Sequence, residues 1–203
     1  MRFKMLPAPP AALDRVREAQ RAVPLVPGDE SDCCARLQRR LDFPSRDVAR
    51  TWLTFLRALE LAQETDVGFS RTDREPTVEH LRTSFLDRVL LAPETLAAVA
   101  AVNQHATDAG ERGASPDAVF DRVRDDVPTY EHHKNPDTWE TIWHDRTADL
   151  LGWLALLDLV DAVDGEATAP TDGETNAADT AVRYALTDRG RAALGDDRCD
   201  GDR

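Results

Sequence analysis

The amino-acid sequence predicts a mainly α-helical chain with short β-hairpins, built as two diverged copies of one unit joined by a helical spacer. Three observations lead there. Apolar residues recur at helical spacing through most of the 203 residues. The decapeptide LTFLRALELA, residues 53–62, aligns without gaps on LGWLALLDLV, residues 151–160. Further on, GFSRTD at 68–73 aligns on RYALTD at 183–188, so two blocks recur in the same order.

Residues 1–28 read as an N-terminal arm. Prolines 7, 9 and 10 and prolines 24 and 27 enclose a helix over 11–23, with Ala12, Val16, Ala19 and Val23 on one face. This narrow stripe of mostly small residues suits packing on the body or on a partner. The first unit spans 29–74. A helix over 32–41 carries Cys34, Leu37 and Leu41, Pro44 stops it, and Ser45 is placed to cap a second helix over 46–61. Val48, Trp52, Phe55, Leu56 and Leu59 share a face of that second helix. A turn at 66–68 and a returning strand at 69–72 complete the unit.

Residues 75–114 read as the spacer, with one helix over 78–91 and another restarting at Pro93 to about residue 106, before glycines 110 and 113 mark a linker. The second unit spans 115–194. Ser115 caps a helix with Val119, Phe120, Val123 and Val127 as its apolar positions. The polar stretch 162–180 reads as a long, mobile wing tip, and 195–203 as a disordered tail.

Helix, helix and then a small hairpin is the winged-helix order. The run YALTDRGRAAL, residues 184–194, resembles the end of the wing and the start of the next helix in many bacterial and archaeal winged-helix transcription regulators. With its weaker echo GFSRTD the resemblance covers roughly residues 30–74 and 115–194. It implies tandem winged-helix units, a fold used either to read DNA with the second helix of the helix-turn-helix pair or as a rigid bracket in protein complexes.

The net charge is -13, and only Lys4 and Lys134 are lysines. An acidic surface with scarce lysine resembles the proteome of salt-accumulating halophilic archaea. At multimolar salt the Debye length falls to ~3 Å or less, so net acidity no longer argues against nucleic acid.

The two second helices differ in what they turn away from the core. In the first copy the stripe is Arg46, Arg50, Thr54 and Arg57, with Arg71 and Arg74 in or just beyond the hairpin. Arginine forks suit phosphates and guanine edges. Residues 29–74 carry eight arginines against nine acids, a net of -1 in a chain of -13. The aligned stripe of the second copy is His144, Ala148, Gly152 and Ala155, and residues 115–163 carry eleven acids against four bases. Small residues at that spacing let another backbone approach closely, so Ala148, Gly152 and Ala155 are expected at a protein interface.

No phosphate-binding loop, dinucleotide glycine pattern, GxSxG elbow or paired-carboxylate motif is present. His132, His133 and His144 lack the spacing of a metal set, and Cys33 and Cys34, being adjacent, suit a core better than a disulfide. No enzyme activity, cofactor or metal is expected. No apolar run approaches the ~20 residues of a membrane span, and the prolines after the first residues break any signal-peptide pattern, so a cytoplasmic location is expected. The chain is thus expected to be a DNA-binding regulator, its partners double-stranded DNA and a second copy or another protein. The alternative is a non-catalytic adaptor that uses both units to bind proteins.

Overall fold

The computed structural model describes residues 2–109, 113–164 and 182–196, with the side chains of 105–109, 164 and 196 excepted. The chain divides into two compact units, Met1–Ala92 and Pro93–Arg203. The division falls inside the stretch that reads as a spacer.

In the first unit, helix α1 (Asp14–Ala22) packs against α2 (Glu30–Leu41) and α3 (Arg46–Ala58). Val16, Ala19, Ala22 and Val23 are buried. The arm expected at residues 1–28 therefore supplies the first of three packed helices, its small residues allowing close approach. After α1 the chain runs beside the hairpin of β1 (Ala62–Thr65) and β2 (Gly68–Arg71). Gly28 and Phe69 exchange backbone hydrogen bonds of 2.9 and 2.7 Å, and the Arg71 N–H donates to the Pro24 carbonyl at 2.8 Å. Helix α2 begins earlier than expected because the Asp29 carboxylate accepts from the Asp32 N–H at 2.7 Å. Ser45 caps α3, its hydroxyl accepting from the Val48 N–H at 3.2 Å.

Helix α3 ends at Ala58, short of the expected 61, because Glu60 takes the left-handed region at φ 58°. The Leu61 N–H then reaches the Leu56 carbonyl and the Glu60 N–H the Arg57 carbonyl, at 2.8 and 3.1 Å, which is a Schellman closure. Below it, Phe43 stacks on Trp52, Trp52 meets Phe55 edge-on, and Phe55 meets Phe85 edge-on at 6.3 Å between centroids. Phe85 lies on α4 (Val78–Arg88), which stops short of residue 91 because Val89 is extended. That extended residue receives the N-terminus: the Phe3 N–H donates to the Arg88 carbonyl at 2.6 Å and the Leu90 N–H to the Phe3 carbonyl at 2.9 Å.

The second unit repeats the hairpin pairing and the helix closure of this scheme. It comprises α5 (Ala92–Ala109), α6 (Pro116–Val123), a 3₁₀ turn (Arg124–Asp126), α7 (Thr129–Lys134), α8 (Trp139–Leu156), β3 (Val160–Asp164), β4 (Val182–Leu186) and α9 (Asp188–Asp196). Ala114 and Tyr184 exchange hydrogen bonds of 2.8 and 2.9 Å, as Gly28 and Phe69 do. Ser115 caps α6 as expected. Helix α8 closes through Leu159 onto Leu154 and Asp158 onto Ala155, both at 2.9 Å, with Asp158 at φ 59°. In both copies a threonine hydroxyl locks the closure: Thr72 donates to the Glu60 carbonyl at 2.7 Å and Thr187 to that of Asp158 at 3.0 Å.

The copies differ between their second and third helices. Four residues, 42–45, join α2 to α3, whereas the 3₁₀ turn and α7 intervene before α8. Trp143 and Trp153 are buried. Trp139 is half-buried and stacks on His132 with centroids 3.8 Å apart, so the polar segment before α8 holds a packed helix. Strand β3 runs to Asp164, so residues 162–164 of the expected wing tip are paired strand, and its remainder, 165–180, lies outside the described residues. Helix α9 reaches Asp196, so the expected tail starts no earlier than residue 197, also outside them.

Candidate nucleic-acid interface

Helix α3 turns Ala49, Trp52, Leu53, Phe55, Leu56 and Ala58 inward, which leaves Arg46, Arg50 and Thr54 along its outward face. Arg46 is exposed. Arg50 is exposed and donates from Nε to Glu30 at 2.9 Å, with Asp47 at 3.9 Å. Ion pairs so open to water contribute little and weaken further in salt, so the Arg50 fork can exchange Glu30 for another anion. Thr54 is half-buried.

The other three predicted residues do not join that face. Arg57 swings toward the hairpin, pairing with Glu64 at 2.5 Å and lying over the rings of Phe3 and Phe69 at 5.7 and 5.5 Å. Arg74 points the same way, with Glu60 at 3.8 Å. Arg71 is half-buried and lines a shallow groove with Arg17, Gln20 and Arg21 of α1. Gln20 of α1 also holds this segment, donating to the Arg74 carbonyl at 2.7 Å. Local spacing could not reveal Phe3, Glu64 or Arg88 as neighbours of these arginines, because Phe3 and Arg88 meet only through tertiary pairing.

In the second copy His144, aligned on Arg46, is tied to Asp117 of α6 at 2.6 Å and meets Phe120 edge-on. Ala148 is exposed, and Gly152 and Ala155 are half-buried. Charge is instead drawn into the packing behind α8: Glu131 is 2 % exposed, and Arg146 lies over Trp143 at 4.8 Å. Burial pushes the Arg146 guanidinium below its usual range, partly offset by Glu131. Burial likewise raises the Asp149 carboxyl, with Asp145 adding to the rise and Arg146 opposing it.

Among the described residues no group of His, Cys, Asp and Glu is arranged to hold a metal, and no helix is long and apolar enough to cross a membrane.

No curated protein and no solved structure matches the chain. A family profile, the halobacterial double winged helix domain, matches residues 1–174. This match, the recurring helix-closure and hairpin bonds, and the acidic, lysine-poor composition agree: the chain belongs to the halobacterial double winged helix domain family.

Proposed function

We propose that the protein is a DNA-binding regulator in which the first unit contacts double-stranded DNA and the second mediates assembly. The observation that carries this reading is the outward face of α3, where Arg46 and Arg50 stand exposed on the first turns of the helix. In helix-turn-helix proteins the N-terminal residues of that helix are the ones that reach base edges. Thr54 extends the face, while Arg57, Arg71 and Arg74 lie off it. The second unit lacks such a face, since His144 is occupied by Asp117.

Titration of the full chain into a duplex of mixed sequence, followed by fluorescence anisotropy across a potassium chloride series, tests the reading. The expected result is saturable binding whose log K falls linearly with log salt, by ~0.9 per phosphate contacted. Absence of duplex binding at every salt sinks it.

The adaptor reading draws on one observation, the exposed or half-buried small residues Ala148, Gly152 and Ala155 on α8. In the regulator reading this face pairs two copies. Light scattering separates the cases: a dimer that Ala148→Arg dissociates supports assembly through α8, and a strict monomer removes that role.

A further inference from the structure

A groove of about 580 Å³ opens at the foot of the first hairpin, where α3, β1, the end of α4 and the N-terminal Phe3 meet. Three guanidiniums line it, those of Arg57, Arg74 and Arg88, against two carboxylates, Glu60 and Glu64. The pairing is uneven. Arg57 holds Glu64 at 2.5 Å, but Glu60 serves two arginines, Arg88 at 2.6 Å and Arg74 at 3.8 Å. One positive charge is therefore in excess in a protein of net charge -13. The Phe3 ring forms a flat wall, with Arg57 at 5.7 Å and Arg88 at 5.4 Å from its centroid. Side chains of Arg57 and Arg88 are only 30 % and 33 % exposed, so a charge-assisted hydrogen bond from them is less weakened by water than one at the open surface.

The duplication supplies a control within the same molecule. The second unit has a groove at the corresponding place, with Asp158, Thr187 and Arg189 where the first has Glu60, Thr72 and Arg74. There Ala155 stands at the position of Arg57, and Asp161 replaces Gln63. Three aspartates, Asp158, Asp161 and Asp188, face two arginines, Arg189 and Arg191. Common architecture has thus diverged to opposite sign, and only the first groove combines excess positive charge with an aromatic wall.

We propose that the first groove is a binding site for a small molecule bearing an oxyanion, carboxylate or phosphate, held between Arg57, Arg74 and Arg88 with Phe3 against it. This site is distinct from the outward α3 face, and ligand binding here does not depend on whether that face meets DNA.

Calorimetric titration of the full chain with inorganic phosphate and, separately, with citrate tests it, in a constant multimolar potassium chloride background. The two arms distinguish a phosphate from a carboxylate preference, and saturable single-site binding of either is the expected result. Arg88→Ala should weaken it at least about tenfold, the loss typical of a charge-assisted contact. Glu64→Gln, an exposed and conservative change, should tighten it several-fold by releasing Arg57. Arg189→Ala, in the second groove, should leave it unchanged. No saturable binding of either anion, equal weakening by Arg88→Ala and Arg189→Ala, or no tightening by Glu64→Gln overturns the proposal. Duplex binding measured on the same samples keeps the two readings separable.

Discussion

Glu60 and Asp158 occupy the same left-handed backbone, at φ 58° and 59°, and each meets an arginine two residues beyond the threonine that locks its hairpin, Arg74 and Arg189 respectively. Glycine is the usual residue at this place in a helix closure, because other residues pay about 1–2 kcal/mol there. The acids remain with their side chains tied to arginine. Replacing Glu60 or Asp158 by alanine removes the tie and keeps the strain, whereas glycine removes both. In thermal or denaturant unfolding each glycine variant should exceed the alanine variant by about 1 kcal/mol. Alanine variants as stable as the glycine ones would show that the backbone is not strained.

Gly68 sits at φ 125°, and a side chain there would fall far inside van der Waals contact with the Gly28 carbonyl. Gly68→Ala combines a disfavoured backbone with a clash at the pairing that fastens the hairpin. A loss of about 2–4 kcal/mol in stability is expected. Gly195, in α9, has open space around it, so Gly195→Ala should be neutral or stabilising by up to about 1 kcal/mol.

Cys33 and Cys34 are buried, and burial pushes both thiols up, helped for Cys33 by Cys34, Asp29 and Asp32 and for Cys34 by Glu30. Little thiolate is then available, and access is blocked. In a Cys199→Ser background both thiols should resist an alkylating reagent until the protein unfolds. Rapid modification of the folded protein would contradict this.

Asp149 has its carboxyl raised by burial and by Asp145, so the folded state binds that proton more tightly than the unfolded state. The ionised group therefore opposes folding at neutral pH, and this penalty disappears as pH falls through the raised value toward the ordinary carboxylate range of about 3.9. Asp149→Asn should raise Tm at neutral pH, with the difference closing in acid. A lower Tm for the variant at neutral pH would mean that the Arg146 contact outweighs burial.

The helix order was readable because its signals are local. Ser45 and Ser115 announce their helices through the type and place of one residue, and the aligned decapeptides carry the closures that end α3 and α8. Other features depend on partners far along the chain. Nothing near Arg57 in sequence tells that Phe3 and Glu64 will draw it to the hairpin, so its helical spacing with Arg46 and Arg50 is right and its placement on their face is not. Helix α1 looked like an arm because its apolar stripe is built from small residues, which bury little area yet pack closely. Helix α7 was hidden by the polar residues of 129–137, where His132 finds an aromatic face in Trp139 and Glu131 finds burial.

The claim that the α3 face meets DNA is tested most directly by comparing two double variants of equal charge. Arg46→Ala with Arg50→Ala removes the outward face, and Arg39→Ala with Arg40→Ala removes two exposed arginines from the end of α2. In the same duplex assay and salt, the first pair should lower affinity at least about tenfold more than the second, given ~1–3 kcal/mol for a good arginine–base contact. Equal losses from the two pairs would reduce the arginine face to undirected charge and contradict the account.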